Sequence, residues 1–478
     1  MEREKKLVKN TLILSIGNLF TKLITFFLLP LYTAILSTEE YGIVDLLNTL
    51  VSLLLPIVTF QIEQAVFRYL IENRENERQK KKIISTSFFI VIVQIIIYML
   101  IFVFVSNLIK NEYKIFLATN VIVYILASLL QQIARGFGDN KSYTISSIFS
   151  GIFTIVFNVL FLVALDLHAY GMLIGTMIGQ IACIVYLFLK LKIYKYLSIN
   201  CFDKKMLYKM WRYSLPLIPN SISWWVFNAS DRVIVSMILG LSMTGILSAA
   251  NKFSTLYIMV YNFFHLSWLE IISLYIKDSD IESFFNNIFN KVLKIFISIA
   301  LCIIAVMPFV YPIIINQKFA EGYNQIPIIM IGSILNVVVA LETAVYVAKK
   351  DTKSIAITSG IAAILNILLH LILIKYIGLY AASISTLLAY FIMMIYRHVN
   401  ISKKYYKIKI NISTIISTFV ILGMIMLCYY INYPILNLFC LTITILFSLF
   451  INKEFIVDIL NMIQKRNGKN GKSLIKKL

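Results

Sequence analysis

A lysine lies near the middle of the first long apolar segment, where a charged side chain is costly. Lys22 falls within NLFTKLITFFLLPLY, Asn18 to Tyr32. A cation at the bilayer centre costs at least about 2.5 kcal/mol on insertion scales, and Lys22 lies roughly 18 Å along its helix, too deep for easy snorkelling. It belongs to a polar stripe at helical spacing, made of Thr11, Ser15, Asn18, Lys22 and Thr25. We expect this stripe to face a water-filled cavity; the alternative is an ion pair of Lys22 with Glu63, Asp45 or Glu342.

Three later apolar segments also carry charged residues at helical spacing. Arg232 and Lys252 lie in the seventh and eighth segments, and Arg68 lies near the end of the second. Together with Lys22, these cations would suit a polyanion such as a pyrophosphate, since Arg binds phosphate oxygens bidentately and Lys supplies a point charge. The alternatives are snorkelling for Arg232 and Lys252, and a cytoplasmic anchor for Arg68.

Carboxylates in the apolar segments keep a second substrate class open. An exporter of cationic drugs would need acidic groups in its cavity, and such groups could also carry protons. The candidates for ion coupling or ion pairing are Glu63, Asp231, Glu270 and Glu342.

No metal, cofactor or disulfide framework is expected from the sequence. The four histidines are far apart in the chain, and four of the five cysteines fall in apolar segments. The D-x-D of Asp278 and Asp280 lies in a short loop and is interpreted as solvated.

The composition predicts an all-α polytopic membrane protein. The 478 residues are 60% hydrophobic and only 14% charged, with a mean hydropathy of +0.84. Apolar runs of about 20 residues, long enough to cross a bilayer, recur from end to end. Fourteen helices are predicted, at 10–36, 42–70, 83–106, 114–134, 142–165, 169–189, 213–239, 243–275, 288–314, 325–348, 354–374, 378–397, 409–430 and 433–451.

Basic residues predict the orientation of these helices. Most of the 44 Lys and Arg residues fall in alternate loops and in both termini, so the positive-inside rule places both termini in the cytoplasm. The net charge of +21 then serves topology and contact with anionic lipid headgroups, and no nucleic acid partner is needed. The opposite loops, such as STEEY and DLHA, are too short for a catalytic domain, so an enzyme is not expected.

Two halves of the chain repeat each other. Gly42 and Gly245 follow short turns at equivalent places, 203 positions apart, and Asn158 and Asn366 are 208 apart. The period is six helices, so the halves share one orientation, and such transporters bind substrate in a central cavity between lobes. We predict an N-lobe at 1–200, a C-lobe at 201–400, and two extra helices with a basic tail at 401–478.

Two stretches of the chain carry a family pattern: Asn10 to Leu47, and SLPLIPNSISWWVFNASDRVIVSMILGLSMTGILSAANKF, Ser214 to Phe253. On these stretches the chain resembles the Wzx-type lipid-linked oligosaccharide flippases of the multidrug/oligosaccharidyl-lipid/polysaccharide exporter superfamily. The L-P-L-I-P opening, the Asp231-Arg232 pair and Gly245 look like the second-half pattern of that family. This chain has Ile246 and Leu247 where an aromatic residue often follows the glycine.

The resemblance implies a substrate and a location. The substrate would be an oligosaccharide repeat unit of O-antigen or capsule on polyprenyl pyrophosphate, flipped across the inner membrane of a bacterium by alternating access. The cations would contact pyrophosphate, with Asn228 and Trp225 near sugar and Asn18 and Thr25 among the cavity polar groups. H+ or Na+ coupling and a polysaccharide polymerase are further expected partners. The alternatives are a drug or cation antiporter, a peptidoglycan-precursor flippase and, from another class, a membrane polymerase or acyltransferase.

Overall fold

The protein is built from helices throughout its described part. The computed structural model describes residues 23, 25–106, 112–276 and 278–457, apart from the side chains at 199, 228, 266 and 274. No strand occurs in these residues, which confirms the all-α prediction. The helices are α1 Leu29–Ile35, α2 Thr38–Thr59, α3 Ile62–Glu72, α4 Glu77–Ser106, α5 Lys114–Phe137, α6 Asn140–Val159, α7 His168–Lys190, α8 Lys204–Ser214, α9 Ile218–Ile238, α10 Leu241–Tyr275, α11 Ile281–Ile314, α12 Ile326–Ala348, α13 Thr352–Ile377, α14 Tyr380–Lys404, α15 Ile412–Ile431 and α16 Pro434–Ile451.

Eleven helices of the described chain are long and apolar enough to cross a membrane. They match the predicted helices two to six and nine to fourteen. The seventh and eighth predicted helices are present as α9 and α10, which carry the intramembrane charges. Most of the first predicted helix lies outside the described residues.

The second predicted helix is not continuous, which corrects the prediction of one span over 42–70. Phe60 and Gln61 adopt left-handed backbone angles, with φ of 49° and 57°, and separate α2 from α3. Pro56 lies one turn before the break and cannot donate a backbone hydrogen bond. Side chains satisfy carbonyls at the break, because Gln94 donates to the Thr59 oxygen at 3.1 Å.

The ends of α2 and α6 are fixed by side chains. Ser37 and Glu40 form a reciprocal capping box at the start of α2, at 3.1 and 2.8 Å. Asp139 caps α6 by accepting from the Ser142 amide at 2.9 Å. These caps fix the first residue of each helix, and with it the positions of the polar side chains along that helix.

By packing, the chain divides into two compact units. The first comprises Met1–Lys252, Ile315–Ala320 and His370–Ala382. Within it α6 and α7 pack closely, because a Cβ at Gly175 or Gly179 would collide with Asn158 or with Thr154 of α6. The small-residue spacing of α7, at Gly171, Gly175 and Gly179, therefore serves helix packing.

The second unit comprises Phe253–Ile314, Glu321–Leu369 and Ser383–Leu478. In it α11 packs against α12, α15 and α16. The division into lobes at 200 and 400 concerns the sequence repeat and stays a prediction.

Candidate functional site

Two predicted cations converge on one carboxylate in the first unit. Arg232 Nε lies 2.7 Å from one oxygen of Asp45, and Lys252 Nζ lies 3.6 Å from the other. Ser248 donates its hydroxyl to Asp45 at 2.6 Å. We call these four residues the Asp45 cluster; among them two cations face one anion, which leaves a formal charge of +1.

The Asp45 cluster lies at membrane depth. Its charged residues are roughly 9 to 16 Å from the near ends of α2, α9 and α10 at 1.5 Å per residue, well within a hydrocarbon layer of about 30 Å. Their side chains are 15 to 26% exposed. Arg232 and Lys252 therefore pair with a carboxylate between packed helices. The sequence alone had also allowed these side chains to snorkel to the membrane surface.

Glycines bring the first turns of α2 and α10 together. A Cβ on Gly42 would collide with the Leu241 carbonyl, and a Cβ on Gly245 would collide with the Thr38 carbonyl. The contact is reciprocal, and it joins residues that the 203-residue repeat makes equivalent. Asp45 and Ser248 are likewise equivalent in the repeat, and they bond to each other. Thr38 and Ser242 close the same contact, with their hydroxyl oxygens 2.6 Å apart.

A cavity with both polar and apolar groups in its lining adjoins the Asp45 cluster within the first unit. Its volume is about 230 Å³, and Asp45 and Lys252 form one wall. Thr25, a predicted cavity residue, also lines it. The remaining lining comes from Tyr32, Tyr41, Val44, Asn48, Tyr124, Ser150, Gly151, Thr154, Met172, Thr176 and Gln180.

Asp231, beside Arg232 in sequence, faces another partner. Its Oδ1 lies 3.0 Å from Nδ1 of His370, which is fully buried. Sequence reasoning missed His370 because it assessed histidines only as metal ligands. The sequence signal that could have identified His370 is its place inside an apolar run, one turn after the repeat residue Asn366.

Trp225 is held against α2. Its indole N–H donates to the Thr49 carbonyl at 2.9 Å and to the Ser52 hydroxyl at 3.1 Å. The ring is buried. Its polar atom is thus engaged within the protein, and Trp225 does not line the described cavity.

Three other predicted site residues that the structure describes, Arg68, Glu63 and Glu270, form no part of the Asp45 cluster. Arg68 pairs with Glu72 on α3 at 2.8 Å, with about half of its side chain exposed. Glu63 is buried on the same helix, and Glu270 is exposed on α10. Lys22, Asn18 and the side chain of Asn228 lie outside the described residues.

Glu342 belongs to a separate buried network in the second unit. Its carboxylate lies 3.2 Å from Nδ1 of His398. The neighbouring Arg397 is 2% exposed and donates to three hydroxyls, at 2.6 Å to Thr343, 2.8 Å to Thr358 and 3.0 Å to Ser359. The sequence placed Arg397 at a helix end among the cytoplasmic basic residues, so its burial was missed.

Potential metal ligands are scattered in the described chain. Over residues 25–106, 112–276 and 278–457, no three His, Cys, Asp or Glu side chains come together as a metal site. The five cysteines are free.

A set of apolar helices with a charged cluster and an adjoining cavity at membrane depth is typical of a multi-pass membrane transporter. The fold agrees with solved members of the exporter superfamily. It superposes on "Lipid II flippase MurJ, inward closed conformation" with a TM-score of 0.70 and 17% identity, covering 94% of this chain and 100% of that one. It also superposes on the inward-facing conformation of a multidrug resistance MATE family transporter of the MOP superfamily, with a TM-score of 0.67, 12% identity and coverage of 82% and 95%.

The family follows from the sequence. Residues 7–269 match the family model described as polysaccharide biosynthesis protein, so the chain belongs to that family. No curated protein sequence matches the chain. The expected exporter fold is confirmed by these superpositions, and the two solved structures are titled as a flippase and a transporter.

Proposed function

We propose that this protein is a Wzx-type flippase. It moves an oligosaccharide repeat unit on polyprenyl pyrophosphate from the cytoplasmic to the outer leaflet of a bacterial cytoplasmic membrane, with both of its own termini in the cytoplasm. Membership of a polysaccharide biosynthesis family and the exporter fold support this proposal.

The Asp45 cluster is the observation that carries the proposal. The positive charges of Arg232 and Lys252 exceed the single negative charge of Asp45, so the cluster favours an anion. Because the cluster lies at membrane depth, we expect this anion to be one that crosses the membrane. Pyrophosphate meets both conditions when a polyprenyl tail holds it in the bilayer. Lys22, three residues before the cavity-lining Thr25 in the sequence, would add a further cation.

The contact between α2 and α10 at Gly42 and Gly245 is the part of the protein that we expect to open and close during transport. On the predicted topology the first turns of α2 and α10 lie on the outer side, where they close against each other through Gly42 and Gly245. Opening this contact, with closure on the cytoplasmic side, gives alternating access to the bound headgroup.

Leaflet-selective labelling of the lipid-linked glycan tests the proposal. Cells lacking the protein should accumulate single repeat units on the cytoplasmic face, and the wild-type chain should restore export. Lys252→Met should restore it poorly, because the site loses a cation. Lys353→Met is the matched control, since Lys353 is exposed at the start of α13. Unchanged lipid-linked glycan, or accumulation on the outer face, would contradict the proposal.

A drug or cation antiporter is less well supported by the site. Among the described residues that line the cavity, Asp45 is the one carboxylate, and two cations already neutralise it. A peptidoglycan-precursor flippase shares the pyrophosphate chemistry. Complementation of cells depleted of their lipid II flippase separates that function from the proposed one.

A further inference from the structure

The cavity beside the Asp45 cluster has a lining that differs sharply from one wall to the others. Asp45 and Lys252 make one wall charged. The other walls carry neutral hydrogen-bonding groups, among them Asn48, Thr154 and Gln180. Because Arg232 and Ser248 already hold Asp45, the Lys252 ammonium favours a ligand that is anionic at this end, and the other walls favour one that is neutral with hydrogen-bonding groups over the rest.

Some of these neutral groups are available to a ligand. The side chains of Asn48 and Thr154 have no hydrogen-bond partner within the described part of the chain. An amide offers both donors and an acceptor, and a hydroxyl offers one donor and two acceptors. Such groups match the hydroxyls of a sugar, and they disfavour a hydrocarbon tail because its binding would leave them unsatisfied.

The charged wall argues against a metal cation. Asp45 already binds Arg232 and Ser248, and the Lys252 ammonium faces the same space. A cation entering the cavity would meet the Lys252 ammonium beside a carboxylate that Arg232 already balances, whereas a phosphate there would be attracted by Lys252.

The volume of the cavity limits the sugar that it can hold to one monosaccharide. The cavity volume of about 230 Å³ is below the roughly 300–1,000 Å³ of pockets that hold drug-sized ligands. One monosaccharide fits this space, and the remaining sugars of a repeat unit would extend out of it.

We infer that this cavity is the binding subsite for the monosaccharide attached directly to the pyrophosphate. Lys252 contacts the phosphate at the charged wall, and Asn48, Thr154 and Gln180 bind the sugar hydroxyls. The inference rests on the proposed function and adds a specificity-determining site to it.

Binding of two lipids to the purified full-length protein in nanodiscs tests the inference. The first lipid is undecaprenyl pyrophosphate without sugar, and the second is the lipid-linked repeat unit extracted from cells lacking the protein. Gln180→Leu and Thr154→Val should each bind the glycolipid about tenfold more weakly, as expected for loss of one or two ligand hydrogen bonds, and should bind the bare lipid normally. Lys252→Met should weaken both lipids.

Control variants keep the outcomes distinct. Gln131→Leu, on α5 and outside the cavity lining, should leave both affinities unchanged. Thr154→Val is nearly isosteric, so it tests the sugar contact even if Gln180→Leu does not fold. If both cavity variants bind the glycolipid like wild type, the sugar subsite is wrong and the proposed function stands.

Two further results would also overturn the inference. If wild-type protein binds neither lipid, the proposed function fails together with the subsite. If sodium stabilises wild-type protein, Asn48→Ala removes that effect and glycolipid binding is unchanged, the cavity is a cation site.

Discussion

The position of Asp45 changes the interpretation of the two cations beside it, Arg232 and Lys252. The sequence identified Arg232 and Lys252 as intramembrane cations, but it considered Asp45 only as a partner for Lys22. In the structure Asp45 lies between both cations, so each of them is balanced in part. This arrangement depends on the relative rotation of α2, α9 and α10, which the pattern of any single helix does not contain.

A double-mutant cycle measures that balance. Asp45→Asn leaves Arg232 and Lys252 without their carboxylate and should destabilise the protein by about 2 kcal/mol, below the roughly 3–5 kcal/mol of fully buried pairs because these side chains are partly exposed. Adding Lys252→Met should restore part of the loss. Thermal unfolding in detergent gives the values, with Asp278→Asn in an exposed loop as control. Strict additivity of the two changes would show that Asp45 and Lys252 do not interact.

Arg397 should be a strong determinant of stability in the second unit. Arg397→Met removes hydrogen bonds that join α14 to α12 and α13. It also leaves Glu342 with less positive charge nearby. We expect a loss of about 3 kcal/mol, as for breaking a buried charge network. Arg78→Met, at an exposed arginine, should leave the melting temperature within about 1 °C in the same assay; equal melting temperatures for the two variants would contradict the assigned role.

At the scale of elements, the contact between α2 and α10 depends on missing side chains. Glycine inside a helix costs roughly 0.5–1 kcal/mol relative to alanine, so a glycine there needs a reason. For Gly42 and Gly245 the reason is the approach of two backbones. The sequence repeat marked both residues as equivalent, but it could not show that they touch.

Alanine at these positions should loosen the contact. Gly42→Ala or Gly245→Ala should lower the disulfide yield between cysteines introduced at Thr38 and Ser242, whose oxygens are 2.6 Å apart, in a background without native cysteines. Gly360→Ala is the control, because a Cβ there meets open space and the substitution should be neutral or stabilising. An unchanged yield in the Gly42 and Gly245 variants would rule out close packing at this point.

The loop between α12 and α13 is tied to the end of α14 by one carboxylate. Asp351 accepts hydrogen bonds from Lys404 at 2.6 Å, Ser354 at 2.8 Å and Tyr405 at 2.8 Å. These donors hold the pKa of Asp351 well below its usual range, and Lys404 has the largest effect. The carboxylate stays charged at neutral pH and fastens the ends of three helices.

This tie should weaken in acid. The pKa of Asp351 is lower in the folded protein than in the unfolded chain. Its carboxylate therefore stabilises the fold above the ordinary pKa of about 3.9, and this stabilisation is lost as the pH falls toward the pKa in the folded protein. The melting-temperature difference between wild type and Asp351→Asn should therefore be constant down to about pH 5 and shrink below about pH 4. Asp278→Asn should show no such difference at either pH. A gap that widens on acidification would reverse the assigned sign.

At the scale of the molecule, hydropathy predicted the helices better than their interruptions. Boundaries of apolar segments were close, as in 114–134 against Lys114–Phe137, because burial in lipid requires long apolar runs. The break at Phe60 was not predicted, since neither residue of the break favours left-handed angles. Pro56, one turn earlier, favours a kink but does not by itself predict a break in the helix.

The predicted orientation can be checked by cysteine labelling. In spheroplasts of a strain making a variant without native cysteines, Asp166→Cys should react with a membrane-impermeant maleimide. Lys195→Cys should react only after permeabilisation, because its loop is rich in basic residues and belongs on the cytoplasmic side. Both positions are exposed, so accessibility of the side chain does not separate them. The reverse pattern would invert the topology and place the glycine contact on the cytoplasmic side.

The reciprocal contact between Gly42 and Gly245 also bears on the origin of the chain. Equivalent residues touch only where a local two-fold axis passes between them, which is the geometry of an isologous interface. A half-length ancestor carrying one such glycine could have formed the same interface as a homodimer of two identically oriented copies. Gene fusion would then have joined the copies and freed Asp45 and Ser248, once the same residue, to become an acid and its hydrogen-bond donor.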